Sequence, residues 1–115
     1  TVDSEVDILV EDIEYFGFIE AKEVAPGGKA KFEKKGGVHQ LVSQYVQGKI
    51  LEKVTSKIFA LATIGANKGE TLQIKLNSAE RTLLRLVDED KDTLPVIDLS
   101  WSLLNASQHS RSGTS

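Results

Sequence analysis

At 115 residues, 40% of them apolar and 27% charged, with net charge −3 and no Cys, the chain has the size of one globular domain, and its composition argues against wholesale disorder. The lack of Cys removes disulfides, thiolate zinc sites and cysteine nucleophiles, and fits an intracellular protein, cytoplasmic or nuclear. No apolar run nears the roughly 18 residues that would cross a bilayer, and no charged start leads into a signal-like stretch, so no membrane partner is expected.

The chain starts at Thr1, contains no Met and enters strand-like sequence almost at once. This favours a domain cut from a larger parent protein, with a homo-oligomer as the other assembly left open. Residues 5–10 (EVDILV) read as a strand. Residues 11–14 are polar enough to turn, and residues 15–22 (YFGFIEAK) form a second strand with Gly17 as a weak point. Their close spacing makes an antiparallel hairpin the default.

Pro26-Gly27-Gly28 breaks regular structure, and KAKFEKKGG continues a mobile, basic loop to Gly37. From Val38 to Val54 the period changes: Val38, Leu41, Val42, Tyr45, Val46, Ile50 and Val54 form a helical stripe. Gly48 weakens its second half by about 1 kcal/mol relative to Ala. Residues 57–64 (KIFALATI) read as a strand covered on both faces. Residues 65–69 turn, and residues 71–76 alternate as a further strand. Residues 77–90 are ambiguous: Asn77 with Glu80 resembles a helix start, whereas RTLLRLV suits an edge strand. Pro95 precedes a short apolar piece, and a helical turn is expected around Trp101 to Leu104. Residues 1–105 are read as one domain and 106–115 as a disordered, Ser-rich tail. Strand, strand, helix, strand implies an α/β or α+β domain with a mixed sheet flanked by helices.

Chemistry enters with Asp7 in the first strand and Glu20-Ala21-Lys22 ending the second. A strand otherwise made of buried apolar residues accepts a carboxylate only if it is paired, protonated or bound to metal. Two such intrusions on neighbouring strands ask for a shared cation. Glu20 and Lys22 share a face because side chains alternate along a strand. Asp7 lies across from Glu20 only if the reversal is centred between Ile13 and Glu14. A tight turn at Glu11-Asp12 would instead set Asp7 against Phe16, roughly 13 Å away along the strand.

Two carboxylates and the Ala21 backbone carbonyl offer a hard oxygen site suited to Mg²⁺ or Mn²⁺. Lys22 beside them suits phosphodiester hydrolysis, since its ammonium would orient water or stabilise charge on phosphate. Charge is distributed accordingly. Residues 1–20 hold seven acids and no Lys or Arg, whereas residues 24–57 hold seven lysines against Glu33 and Glu52. Lys29, Lys31, Lys34 and Lys35 are candidates to grip a nucleic-acid backbone.

The order VDILV, FGFIEAK, a Gly-rich loop, HQLVSQY on a helix and IFALATIGAN on a strand resembles the PD-(D/E)XK, or restriction-endonuclease-like, nuclease superfamily. Within it, the chain is most similar to the nuclease domain of type I restriction enzyme motor subunits, over roughly residues 4–70. The resemblance implies a mixed central sheet flanked by helices, with the first helix absent from this chain or lying upstream of Thr1. It also implies a Mg²⁺-dependent deoxyribonuclease with Asp7 and Glu20 on the metal and Lys22 acting on water or phosphate. Gln40 or Gln44, with Tyr45, would correspond to the supporting helix motif, although four residues separate Gln40 from Tyr45 where relatives have three.

Independently, Gln40, Gln44 and Gln47 fall at i, i+4 and i+7, one polar strip on the helix. An ordinary solvated helix face is the competing reading of that strip, and a solvated flexible loop that of the lysines. His39 reads as a capping or surface residue, and Trp101 as core or an interface anchor. For the whole chain, the competing function is a catalytically inactive nuclease-fold module for binding or interaction.

Overall fold

In the computed structural model, residues 7–102 are described; the Ser-rich tail lies outside them. Ile8–Glu11 (β1) and Tyr15–Ala21 (β2) form the antiparallel hairpin. Asp12, Ile13 and Glu14 reverse the chain, with the Asp12 amide donating to the Tyr15 carbonyl at 2.8 Å. Ile8 pairs with Ile19 and Glu11 with Phe16. The reversal is therefore centred between Ile13 and Glu14, and one further step of the register faces Asp7 with Glu20.

The basic loop ends earlier than its composition suggests. Lys34–Lys35 (β3) pairs antiparallel with Val38–His39 (β4). Gly36 and Gly37 between them have φ of 58° and 76°, the left-handed pair that a two-residue hairpin turn requires and glycine supplies without a Cβ clash. Strands of two residues are too short to show a period, which is why the sequence reads as loop.

Gln40–Thr55 (α1) follows directly. His39 is its N-cap, with Nδ1 accepting from the Leu41 amide at 3.0 Å. Leu41, Val42 and Val46 are buried as the stripe predicts, but Ile50 and Val54 are exposed, and Gln44 and Gly48 are buried instead. Gly48 explains the rotation. A Cβ there would overlap the Phe59 ring, so the missing side chain is what lets the helix lie against the sheet.

Ile58–Ile64 (β5), Leu72–Lys75 (β6), Ser78–Arg85 (α2) and Thr93–Leu99 (β7) complete the fold. The ambiguous segment is a helix because Asn77 and Glu80 form a capping box. Each side chain accepts from the other's amide at 2.9 Å. The second Glu80 oxygen accepts from the His39 amide at 2.8 Å, tying the starts of both helices together. Pro95 lies within β7, where the β5 ladder runs only from Ile97 to Leu99.

The sheet order is β1-β2-β5-β7-β6, with β2, β5 and β7 parallel and antiparallel strands at both edges. Alternate residues Phe16, Phe18, Phe59, Leu61, Leu94 and Val96 pack with Leu41, Val46 and Leu84 in one core, so both helices lie on the same face. Phe16, Phe18 and Phe59 meet at ring-centroid distances of 5.0 to 5.9 Å. Among the described residues the opposite face is open: Tyr15, Ile58 and Ile97 are 51, 57 and 61% exposed. The strand expected to be covered on both sides is thus covered on one.

Two outcomes follow from this packing. Gly48→Ala, which in an exposed helix would add about 1 kcal/mol, is expected to lower stability here by about 1–3 kcal/mol in urea denaturation, because overpacking against Phe59 outweighs propensity. Burial lowers the His39 pKa, and Lys34 and Lys22 reinforce this against the opposing pull of Glu80. Its stabilisation is complete above the unfolded value of about 6.5 and declines as pH falls through that value towards the folded one, since the unfolded state takes the proton more readily. His39→Asn keeps a cap and is expected to remove this part of the stability-versus-pH curve.

Candidate functional site

The parallel ladders set Glu20 beside Thr63 and Thr63 beside Asp98. These polar residues form a row at the C-terminal ends of β2, β5 and β7, on the core face, at 5, 0 and 3% exposure. Ends of this kind are where open α/β sheets place their ligand sites. Glu20 is answered from two directions. Lys22 Nζ stands 3.4 Å from Oε1, and Gln44 donates its side-chain amide to Oε2 at 3.2 Å. Lys22 in turn lies 4.9 Å over the Phe32 ring, and Phe32 stacks at 5.0 Å on His39.

Asp7 precedes β1 at the mouth of this row. It is exposed, and its Oδ2 accepts from the Ala21 amide at 3.1 Å. Because the N–H and C=O of one strand residue point to the same side, the Ala21 carbonyl is directed to the edge where Asp7 stands. Asp7 and the Ala21 carbonyl thus share one edge of β2, and Ala21 lies in sequence between the paired Glu20 and Lys22.

Asp7, Glu20 and the Ala21 carbonyl are a set of hard oxygen donors. Among the described residues no group of three or more His, Cys, Asp or Glu side chains converges, which argues against a closed zinc or calcium cage. Mg²⁺ and Mn²⁺ differ: Mg²⁺ is held by one or two carboxylates and completes its shell with water and substrate phosphate. An exposed Asp7 and a buried Glu20 are both hard oxygen donors of the kind such an ion takes.

The helix residues divide. Gln44, fully buried, joins Glu20. Gln40 does not reach the site: its side-chain Oε1 accepts from the Glu33 backbone amide at 2.7 Å while its backbone amide donates to the Glu33 carbonyl at 2.9 Å, so it anchors the basic loop. Tyr45 does not reach it either. Its hydroxyl donates to Glu89, Lys91 lies 5.6 Å over its ring, and burial together with the Glu89 bond pushes its phenol well above the ordinary range. The turn of about 100° between neighbouring helix positions separates Tyr45 from Gln44. The glutamine strip is no solvated face, since the Gln47 Oε1 is also buried, beside Phe16 and Phe18 in a cleft of about 460 Å³. Lys29, Lys31, Lys34 and Lys35 are all exposed on the loop and hairpin that Phe32 fixes next to Lys22.

Sequence reasoning passed over Asp98. Its carboxylate accepts from the Thr63 hydroxyl at 2.6 Å and from the amides of Ala66, Asn67 and Gly69 at 3.0, 2.7 and 2.9 Å. Burial alone would raise its pKa, but these four donors outweigh burial and hold it below the ordinary carboxylate value. The available signal was an acid interrupting VIDL, the same kind that marked Asp7. Trp101, 38% exposed, donates its indole N–H to the Lys22 carbonyl at 3.1 Å.

Asp98→Asn removes acceptor capacity from a saturated buried group, and is expected to cost about 1–3 kcal/mol in chemical denaturation at neutral pH. The difference between variant and parent should shrink as pH falls through the depressed folded pKa, where the parent loses the same charge.

Compared with protein-family models, curated proteins and solved structures, the chain matches none.

Proposed function

We propose that the chain is a metal-dependent nuclease hydrolysing phosphodiester bonds of DNA, with Asp7, Glu20 and the Ala21 carbonyl as metal donors and Lys22 as the catalytic cation. The observation that carries this reading is a buried Glu20 carboxylate with the Lys22 ammonium 3.4 Å from it, on a strand end whose Ala21 amide donates to the exposed Asp7 carboxylate. A Mg²⁺ or Mn²⁺ ion bound there would polarise a phosphate oxygen and acidify water.

The chain's own residues do the rest. Glu20 is oriented by the hydrogen bond that Gln44 donates to its Oε2, which leaves Oε1 facing Lys22. Lys22, with its ammonium over the Phe32 ring and only 21% of its side chain exposed, presents a positioned positive charge to an entering phosphate. That placement supports stabilisation of negative charge as it develops during P–O cleavage. Lys29, Lys31, Lys34 and Lys35 supply a positive surface beside the site, suited to a polyanionic backbone without reading sequence. Overall charge is −3, so attraction to DNA is local to this edge.

The test is cleavage of double- and single-stranded DNA by the full chain with Mg²⁺ or Mn²⁺. Expected is activity abolished by chelation and reduced about 10²-fold or more in Lys22→Ala and in Asp7→Asn. Asp7 is exposed, so its variant should keep the parent's thermal midpoint. The reading is overturned if no divalent ion supports cleavage, or if Lys22→Ala cuts at the parent rate. Salt-sensitive DNA association without cleavage would identify a binding module instead.

A further inference from the structure

The Glu20-Ala21-Lys22 segment ends β2, and a catalytic group at a free strand end would move with it. Here the end is held from its far side. The Lys22 amide donates to the Ile64 carbonyl at 2.9 Å, and the Lys22 carbonyl accepts the Trp101 indole N–H at 3.1 Å. Between them sits Gly65, at φ 78°, whose amide donates to the Leu99 carbonyl at 2.9 Å. A Cβ on Gly65 would overlap both the Lys22 carbonyl and the Trp101 indole, so backbone, carbonyl and ring are in closest approach.

The loop that carries Gly65 is set by Asp98, whose two oxygens collect the amides of Ala66, Asn67 and Gly69. Asp98 is 3% exposed and anchored through Thr63 to the neighbouring strand. Among the described residues no ion pair neutralises it, so its charge is answered by dipoles: the Thr63 hydroxyl and the amides of the loop. The path from Asp98 to Lys22 therefore runs through rigid contacts: carboxylate to loop amides, loop to Gly65, and Gly65 with Trp101 to the Lys22 backbone.

We propose that Trp101 is a positioning residue for the site, its indole N–H fixing the Lys22 carbonyl, with Gly65 and the Asp98-bound loop as the wall behind it. This rests on the nuclease reading of Asp7, Glu20 and Lys22. Trp101 touches neither carboxylate; it acts by restricting where the Lys22 ammonium and the Glu20 carboxylate can be. Displacements of about 1 Å in such groups cost up to about 10²-fold in rate, so loss of one restraint should appear in kcat before it appears in binding.

The test uses the full chain and two independent measurements on Trp101→Phe, which keeps the ring and removes the donor. Hydrogen exchange reads the brace without reference to activity. The Lys22 amide and the amides of residues 65–69 are expected to exchange about tenfold faster in the variant, while α1 amides keep the parent's rate. Steady-state cleavage with Mn²⁺ reads the consequence: kcat about tenfold lower, KM within twofold, and an unchanged thermal midpoint. Gly65→Ala, which crowds the same contact from the other side, is expected to give the same kcat-weighted loss.

Unchanged exchange at Lys22 in Trp101→Phe overturns the brace, whatever the activity. Faster exchange with kcat unaltered in an active parent overturns positioning and leaves a purely structural contact. A parent inactive with every divalent ion, combined with faster exchange in the variant, removes the nuclease reading and the proposal resting on it, while the contact itself stands.

Discussion

A carboxylate at 5% exposure near the end of a β-strand, on its core face, has to be answered by something. Glu20 is the group on which the rest of the site is arranged. An ammonium and a side-chain amide meet its two oxygens from different elements, one two residues along the same strand and one from the helix packed above. Each partner brings its own requirement. Gln44 must lie on the inward face of α1, which the close approach at Gly48 permits. Lys22 must lie along Phe32, which brings the start of the lysine hairpin with it. Removing Glu20 would leave a fully buried amide and a partly buried ammonium without a common anion.

The arrangement follows from topology. Three parallel strands end together, and the register places Glu20, Thr63 and Asp98 side by side. Two of these are acids, yet they are used differently. Asp98 is surrounded by backbone amides and a hydroxyl and is saturated. Among the described residues Glu20 meets two side chains, Lys22 and Gln44. Hydrogen bonding, not burial, distinguishes a carboxylate that holds a loop from one with capacity for a ligand.

Much of this was legible in the residues. The spacing from Asp7 to Glu20 demanded one particular centre of reversal, and the hairpin has it. The helix, β5 and β6 appear where their periods indicated, whereas β7 reads in the sequence only as a short apolar piece after Pro95. What escaped lay beyond local pattern. Gly36-Gly37 closes strands too short to show alternation. The inward face of α1 is chosen by a ring on β5 that meets Gly48, a contact between residues eleven positions apart. Gln40 and Tyr45 share a helix with Gln44 but point to Glu33 and Glu89, partners that helical spacing alone does not name. Asp98 was overlooked because its role depends on a loop some thirty residues earlier, whose amides all face one way. The open face of the sheet was likewise invisible, since an apolar run gives no sign of whether one side or both are covered.

The Trp101 contact has a practical corollary. The chain contains a single tryptophan, and its indole nitrogen rests on the backbone of Lys22. Indole emission depends on hydrogen bonding and on nearby charge, so the protein carries an intrinsic optical probe within one residue of its candidate metal donors. Changes at that strand end can be followed in the unlabelled chain by fluorescence, with no competing signal from any other indole.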